Sequence, residues 1–251
     1  MAEIDDSMNE KKVLLMLSGG RDSFLSACRL IGNGYQVHTV TYDNGYMSQT
    51  DAVNGLVERL QSCFGELWIR PAGIHPIAQN IQRFLVTILY KEPVELCREY
   101  PHLLISQVNC LACHTVMYLH SIAYCKANNI SAISEGARQQ QKFFVELPEM
   151  RERYEKLCEK YNIELILPVY DLESDEERKR ELAEWGFLPK SFEPQCWMGC
   201  PILQDLTDEQ RSDLTKYYDN EIFPFVDEII ENNIRIKKAK QFDKNGFNNY
   251  V

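Results

Sequence analysis

A Ser-Gly-Gly turn at residues 18–20 constrains this chain more than any other segment, because it joins an apolar run directly to a helical pattern. The run Val13–Leu17 is typical of a short buried strand, and Phe24–Ile31 is typical of a helix. Adjacent glycines allow a sharp turn whose N–H groups can approach an anion, and the helix N-terminus adds a positive dipole end. The lysine and longer spacer of the GxxxxGK[ST] loop are missing. The sequence therefore predicts a different phosphate-binding turn, formed by Ser18, Gly19, Gly20, Asp22 and Ser23.

Candidate strands and helices alternate along the rest of the chain. The predicted strands are Val13–Leu17, Gln36–Tyr42, Glu66–Ile69, Ile130–Ser134 and Glu164–Leu167, and the predicted helices begin near Asp22, Asp51, Pro76, Thr115 and Asp175. Strands separated by helices imply βαβ units, and right-handed crossovers place helices on both faces of a parallel sheet. We therefore expect an α/β domain over residues 1–204 and a small C-terminal helical extension over residues 205–251. Ligands of such sheets bind beyond the carboxyl ends of the strands, where the Ser-Gly-Gly turn lies.

Composition limits the classes of partner. No apolar run approaches the ~18 residues of a membrane span, and the acidic first residues are unlike a signal peptide, so we expect a cytoplasmic protein that does not span a membrane. The net charge is −10, and the one compact basic stretch, residues 235–240, is interpreted as a solvated tail. Charge therefore does not support a large RNA substrate.

Nine cysteines in a cytosolic chain favour thiols, metal ligation or catalysis over a disulfide framework. Two pairs stand out, Cys110 with Cys113 and Cys196 with Cys200. The first pair directly precedes the helix predicted from Thr115, and thiolates are favoured at a helix N-terminus. The other cysteines sit singly in apolar patterns and are interpreted as small buried hydrophobes: Cys28, Cys63, Cys97, Cys125 and Cys158.

Three chemistries remain open for the paired cysteines. Zinc could be held by all four, or by three with His114. An iron–sulfur cluster could use Cys110, Cys113 and one of the later pair, and a catalytic disulfide would need no metal. Covalent haem attachment, which the sequence CxxCH also suggests, belongs to exported proteins and is set aside.

The pattern SGGxDS at residues 18–23 resembles the PP-loop of the ATP pyrophosphatase superfamily, the adenine nucleotide alpha hydrolase-like proteins. This resemblance implies a HUP-like fold and an enzyme that splits ATP into AMP and pyrophosphate while adenylating a substrate. It also implies that Asp22 acts near Mg²⁺ and the phosphates. The end of the second strand commonly lies beside adenine in this superfamily, which makes Tyr42 and Asp43 candidates for that contact.

A second segment, Ile133–Arg138, resembles the glycine-containing segment that follows a strand in tRNA-thiolating PP-loop enzymes, although Glu135 departs from their pattern. The resemblance implies that Gly136 permits close approach to ATP. Arg138 would neutralise the leaving pyrophosphate, with Lys142 as a second candidate.

The layout of motifs from Val13 to Pro201 is most similar to tRNA-thiolating sulfurtransferases that carry a CxxC pair and a later cysteine. In those enzymes the cysteines hold a [4Fe–4S] cluster with one iron not bound by protein. The resemblance implies a cluster on Cys110, Cys113 and one of Cys196 and Cys200. Ligation by both late cysteines would close the site and favour a structural zinc or a saturated cluster.

These observations lead to one main functional hypothesis and two alternatives. ATP and Mg²⁺ would activate a carbonyl of a tRNA base or a small molecule, and sulfur from a donor, carried on the cluster or on Cys113 or Cys200, would displace AMP. The expected catalytic residues are Asp22, Arg138, Cys113 and Cys200. The alternatives are an adenylating amide- or nitrile-forming enzyme with structural zinc, similar to cyano-deazaguanine synthase, and a non-catalytic nucleotide or redox sensor. Acceptor specificity is expected in residues 73–101 and 139–148, and the terminal helices make a homodimer plausible.

Overall fold

A computed structural model describes residues 11–89, 93–141, 143–188, 190–198, 205–227 and 229–230. Its centre is a five-stranded sheet in the order β3-β2-β1-β4-β5, and every neighbouring pair is parallel. The strands are β1 (Lys11–Met16), β2 (Tyr35–Asp43), β3 (Ile69–Pro76), β4 (Ala132–Glu135) and β5 (Glu164–Ile166). The α/β class with a parallel sheet is confirmed.

The α-helices within the described residues follow or connect these strands. They are α1 (Arg21–Gly32), α2 (Ala52–Phe64), α3 (Ala78–Ile88), α4 (Pro93–Glu99), α5 (Ile105–Asn128), α6 (Pro148–Lys160), α7 (Asp175–Glu184) and α8 (Asp208–Tyr217). Short 3-10 turns cover Gln139–Gln141 and Phe144–Glu146, and after α8 the chain continues as a π-helical turn, Tyr218–Ile222, and a 3-10 turn, Phe223–Phe225. None of the described helices has the length and apolar character needed to cross a membrane.

The alternating side chains of β1 divide the interior into two cores. Leu14 and Met16 point into the core formed with α3, α5, α6 and α8, while Val13 and Leu15 point into the core formed with α1, α2 and α7. Successive side chains of a strand face opposite sides, so both faces of the central strand are apolar when helices cover both. The helices therefore lie on both faces of the sheet, as predicted.

Two element boundaries differ from the sequence-based expectation. The third strand was predicted at Glu66–Ile69 but begins at Ile69 and runs to Pro76. Its prolines and Gly73 hide the strand pattern, and they are tolerated because β3 is an edge strand paired only with β2, with a register shift between Thr39 and Val40.

The long helix predicted from Thr115 begins ten residues earlier, at Ile105. The apolar spacing of Val108, Leu111 and Ala112 continues the buried helix face toward the N-terminus, and all three are buried. Cys110 and Cys113 therefore lie inside α5 rather than in a loop before it, and the expected placement at a helix N-terminus was wrong. The helices α4 and α6 were not predicted.

The C-terminal helices share a core with the sheet. Leu214, Tyr217, Tyr218 and Ile222 are buried in the same apolar cluster as Leu14 of β1. The expected domain boundary at residue 204 lies outside the described residues, as do residues 231–251 with the basic stretch at 235–240. The helical character of the described part agrees with the prediction, and the homodimer stays a prediction.

The substitution Leu214→Ala should therefore destabilise the whole domain. Removing a fully buried leucine side chain costs about 2–5 kcal/mol of unfolding free energy. Urea denaturation should show one cooperative transition at a lower midpoint. Leu188→Ala is the control, because Leu188 is 62% exposed and its loss should change stability little. The opposite result would be a Leu214→Ala variant that loses part of its helical signal but keeps the wild-type midpoint of the main transition. This result would show that the C-terminal extension folds separately from the sheet.

Candidate active site

The predicted phosphate-binding turn connects the end of β1 to the start of α1. The N–H of Gly20 donates to Ser18 Oγ at 3.2 Å, and Ser23 Oγ donates to the Gly20 carbonyl at 3.0 Å. The two serine hydroxyls lie 3.1 Å apart. Gly19 has φ +91°, which favours glycine. These bonds hold the turn in a defined shape at the carboxyl edge of the sheet.

Gly136 allows the end of β4 to lie against the first turn of α1. A Cβ atom at Gly136 would lie 2.4 Å from the Ser23 nitrogen and 2.7 Å from the Asp22 carbonyl carbon. Both atoms belong to the backbone and cannot rotate away. Gly136 was expected to make room for ATP; in this structure the space that it leaves is taken by the backbone of α1, although Gly136 also lines the adjoining cavity.

Asp22 is buried among three partners from other parts of the chain. Arg178 Nη1 donates to both carboxylate oxygens at 2.7 Å, and Gln141 Nε2 donates to Oδ2 at 2.9 Å. Arg138 Nε lies 3.0 Å from Oδ1 without the alignment of a hydrogen bond. Arg138 is thus engaged by Asp22 and does not line the cavity. Arg178 was missed because it lies in the charged helix α7, where nothing distinguishes it from solvated arginines.

A cavity of about 790 Å³ opens beside this turn. Its lining includes the predicted residues Ser18, Gly20, Asp22, Tyr42, Gly136 and Cys196. Tyr42 contributes the wall of the cavity, and its hydroxyl is paired with Ser121 Oγ at 2.8 Å. Asp43 is not part of the lining, because its Oδ1 accepts from the Gly45 N–H and shapes a turn. The adenine contact expected of Tyr42 and Asp43 stays a prediction.

Four carboxyl groups line the cavity: those of Asp22, Glu135, Glu146 and Glu193. Among the described lining residues there is no lysine or arginine, and Lys142 lies outside the described residues. Burial and the nearby charge of Glu135 raise the pKa of Glu146 to about 9, so this group is neutral at pH 7. Burial acts to raise the pKa of Glu135. The charge of His114 and the hydrogen bonds with His114 and Tyr118 outweigh this effect, and the pKa of Glu135 is lowered.

Glu193 reaches the phosphate-binding turn from the segment that precedes Cys196. The residue as a whole is exposed, but its carboxyl group lies against the turn. Desolvation there, together with the charge of Asp22, raises the pKa of Glu193. No feature of the local sequence marked this residue, because its position depends on a return of the chain over the turn.

The two cysteine motifs meet at Asn44. Its side-chain amide donates to Cys113 Sγ at 3.7 Å and to Cys196 Sγ at 3.5 Å. Cys110 lies one helical turn before Cys113 on α5, and Cys200 lies outside the described residues. Burial raises the pKa of Cys113 to about 12, so its thiol is not ionised at neutral pH without a further partner. The structure thus brings one cysteine of each motif together beside the cavity.

His114 is directed away from this cysteine pair. Its Nε2 lies 3.1 Å from Glu135 Oε2, and Tyr118 donates to the other oxygen of Glu135 at 2.7 Å. Within the described part of the chain, no three histidine, cysteine or acidic side chains are placed to hold one metal ion. This arrangement therefore supports neither a zinc site with His114 as a ligand nor a preformed three-ligand site made of Cys110, Cys113 and Cys196 alone. The expected ligation by these cysteines stays a prediction.

The parallel sheet, the glycine turn and the cavity at its edge define a member of the PP-loop ATP pyrophosphatase superfamily. Residues 8–142, more than half of the chain, match the family model described as thiamine biosynthesis protein (ThiI). The chain therefore belongs to the ThiI family. This membership confirms the predicted superfamily and the expectation of a PP-loop enzyme.

One solved structure shows the same fold at low sequence identity. A 4-thiouridine synthetase in complex with RNA and bound ATP is 14% identical, with a TM-score of 0.61. The match covers 90% of this chain and 53% of that chain, so this chain spans about half the length of the synthetase. The U34-tRNA thiolase NcsA from Methanococcus maripaludis, solved with its [4Fe–4S] cluster, is 15% identical with a TM-score of 0.45, covering 91% of this chain and 72% of that one. No curated protein matches the sequence.

The substitution Gly136→Ala should destabilise the site and the domain together. The added methyl group has no space against the α1 backbone, and overpacking of this kind costs about 1–3 kcal/mol. Thermal unfolding would measure the loss. Gly55→Ala is the matched control, since nothing lies within 4 Å of a Cβ there and alanine favours its helix α2. Equal stability of the two variants would contradict the close approach at Gly136.

The raised pKa of Glu146 predicts a pH-dependent stability. Between its ordinary pKa of 4.5 and its folded pKa of about 9, the unfolded chain releases a proton that the folded chain retains. Glu146 therefore lowers the free energy of unfolding progressively as pH rises through this range. In urea denaturation, the stability of Glu146→Gln relative to wild type should increase from pH 5 to pH 9. Glu152→Gln, at an exposed position of α6, should show no such trend.

Proposed function

We propose that the protein activates a carbonyl group with ATP, forming AMP and pyrophosphate, and then replaces the carbonyl oxygen with sulfur. The carbonyl oxygen attacks the α-phosphate of ATP, and pyrophosphate leaves. The adenylated carbon is then attacked by sulfur, and AMP leaves with the original oxygen. ThiI family membership and the general likeness to RNA-thiolating enzymes support this reaction class.

One observation carries the proposal: the phosphate-binding turn and the cysteine pair adjoin the same cavity. Ser18, Gly20, Asp22 and Cys196 all line it, and Asn44 links Cys196 to Cys113. Its volume of about 790 Å³ lies within the ~300–1,000 Å³ of small-molecule sites. ATP and the sulfur carrier can therefore act in turn on one substrate, and the adenylated intermediate need not leave the protein.

The charges around the cavity support a requirement for Mg²⁺. A polyphosphate would face carboxyl groups from Asp22, Glu135 and Glu193, while the nearby Arg138 and Arg178 are engaged by Asp22. A hard divalent cation bridges carboxylate and phosphate oxygens and removes this repulsion. We propose Asp22 for this role, with the two arginines holding its carboxylate in position.

The cysteines provide soft ligands suited to an iron–sulfur cluster or zinc. Cys113 and Cys196 share Asn44, and Cys110 and Cys200 are the further proposed ligands. Metal binding would also explain how the buried Cys113 thiol loses its proton, because coordination deprotonates a thiol outright. A [4Fe–4S] cluster held by three of these residues would supply an iron able to carry the sulfur. Without a metal, the alternative carrier is a persulfide on Cys113 or Cys200, formed by transfer of sulfur from a persulfide-bearing donor. After its outer sulfur attacks the adenylated carbon, a second cysteine thiol would cleave the S–S bond, which releases the thiolated product and leaves a disulfide.

We propose an RNA base, in particular a tRNA base, as the acceptor. The protein of similar fold named as a 4-thiouridine synthetase was solved with RNA and ATP, which supports both ligands. The exposed side chains next to the cysteine site include Trp197 at 82% exposure, and exposed aromatic rings can stack on an unpaired base. A small-molecule carbonyl is the second candidate, favoured by the net charge of −10.

The test combines product analysis with two variants. Anaerobic wild-type protein given ATP, Mg²⁺, sulfide and tRNA should produce AMP and pyrophosphate and incorporate sulfur into the RNA. Asp22→Asn should lower pyrophosphate release by at least a hundredfold, because the charge that positions the cation is lost. Cys113→Ser should lose bound metal and sulfur incorporation while retaining ATP binding. Iron, zinc and acid-labile sulfide are measured in every preparation.

The controls are Asp51→Asn and Cys63→Ser, which make the same chemical changes at exposed positions of the chain. Asp22→Asn removes the partner of a buried arginine, so its folding is checked by circular dichroism. ADP and phosphate as products would contradict the pyrophosphatase chemistry. Zinc with incorporation of nitrogen would favour the amide- or nitrile-forming enzyme, and absence of pyrophosphate with every acceptor would favour the sensor.

A further inference from the structure

We propose that Glu193 is a nucleotide-displaced latch that holds Cys196 at the cavity. In this structure its carboxyl group lies against the phosphate-binding turn, at Ser18 and Gly20. ATP displaces this group and thereby releases the segment 191–197, here called the clasp, from the cysteine site. The inference rests on the proposed binding of ATP at Ser18–Ser23 and adds a mechanism that couples this event to the sulfur chemistry.

The first end of the clasp is bonded to the phosphate-binding turn. The Phe192 N–H donates to the Gly19 carbonyl at 3.0 Å. A Cβ at Gly19 would lie 2.8 Å from the Phe192 carbonyl oxygen, so glycine is required for this close contact. The Glu193 carboxyl bonds to Ser18, and its Oε2 would lie 2.9 Å from a Cβ at Gly20. The carboxyl thus lies where the turn is expected to bind a phosphate.

The second end of the clasp is bonded to the cysteine site. The Ser48 N–H donates to the Gln195 carbonyl at 3.2 Å, and the Trp197 N–H donates to the Tyr46 carbonyl at 2.9 Å. Met47 and Cys196 form an isolated antiparallel bridge between these two bonds. This short ribbon places the Cys196 thiol beside the Asn44 amide.

A carboxylate and a phosphate cannot share the turn without a large electrostatic cost. Two negative charges about 4 Å apart near a protein surface repel by several kcal/mol before screening. Desolvation at the turn and the nearby charge of Asp22 raise the pKa of Glu193, so a negative charge is already disfavoured at this position. Binding of the ATP phosphates should therefore expel the Glu193 side chain.

The short connection between the two ends transmits this displacement. Only Pro194 and Gln195 separate Glu193 from Cys196. A chain of this length spans at most roughly 10 Å, and proline restricts its backbone further. Expulsion of the Glu193 carboxyl from the turn should therefore strain the ribbon at Gln195 and loosen Cys196.

Two variants separate the charge of Glu193 from its tethering role. Glu193→Gln keeps the shape and hydrogen bonding but removes the charge, so Mg²⁺–ATP should bind roughly tenfold more tightly in calorimetric titration. Glu193→Ala removes the latch, so Cys196 in metal-free protein should react several-fold faster with iodoacetamide even without nucleotide. In wild type, the non-hydrolysable analogue AMPCPP with Mg²⁺ should produce a similar acceleration. Mass spectrometry quantifies each cysteine, and exposed Cys63 serves as the reference in the same sample.

Glu184→Gln, which removes a charge from an exposed position of α7, should match wild type in both measurements. A merely structural role for Glu193 would weaken ATP binding in Glu193→Gln rather than strengthen it. Unchanged affinity in Glu193→Gln, or unchanged Cys196 labelling in Glu193→Ala, would overturn the latch while leaving the proposed function in place. Failure of every variant to bind ATP would instead overturn the proposed nucleotide site, and the latch with it.

Discussion

The close approach of two backbones at Gly136 and Ser23 is the constraint on which the site depends. Because Gly136 has no side chain, the end of β4 lies directly against the first turn of α1. This contact brings Arg138, two residues further on, to the carboxylate of Asp22, and Arg178 of α7 completes the ion pair. Removal of one partner of a buried ion pair leaves an uncompensated charge, so these side chains stabilise the positions of β4, α1 and α7 together.

The cavity beside this contact combines two kinds of chemistry under a negative potential. The phosphate-binding turn supplies N–H groups and hydroxyls, and the cysteine pair supplies soft ligands, but the described lining residues carry carboxyl groups and no arginine or lysine. An anionic nucleotide would need cations there, and a buried thiol would need a partner that stabilises its thiolate. Metal ions would meet both needs, which is why the proposed function assigns them to the two ends of one cavity.

Sequence patterns predicted the elements well where packing and local signal agree. The continuous apolar run of β1 and the apolar spacing in α1, α2 and α3 are local properties, and the structure confirms these elements. The sequence-based bounds were wrong at β3, where prolines and glycine obscure the pattern of an edge strand. They were also wrong at the start of α5, where the cysteine motif suggested a loop. In both cases tertiary packing overrides local preference, because β2 supplies the hydrogen bonds of β3 and the core buries the first turns of α5.

The class of fold, the position of the phosphate-binding turn and the pairing of cysteines in two motifs could be predicted from local sequence, because glycine pairs, apolar periodicity and ligand spacing act over a few residues. The distant groups that complete the site depend on three-dimensional packing: Arg178 lies beside Asp22, Asn44 lies between Cys113 and Cys196, and Glu193 lies over the turn. These groups leave no local signal, since a charged or amide side chain looks the same in sequence whether it is solvated or buried. Their partners become neighbours only when the parallel sheet brings the ends of its strands to one edge.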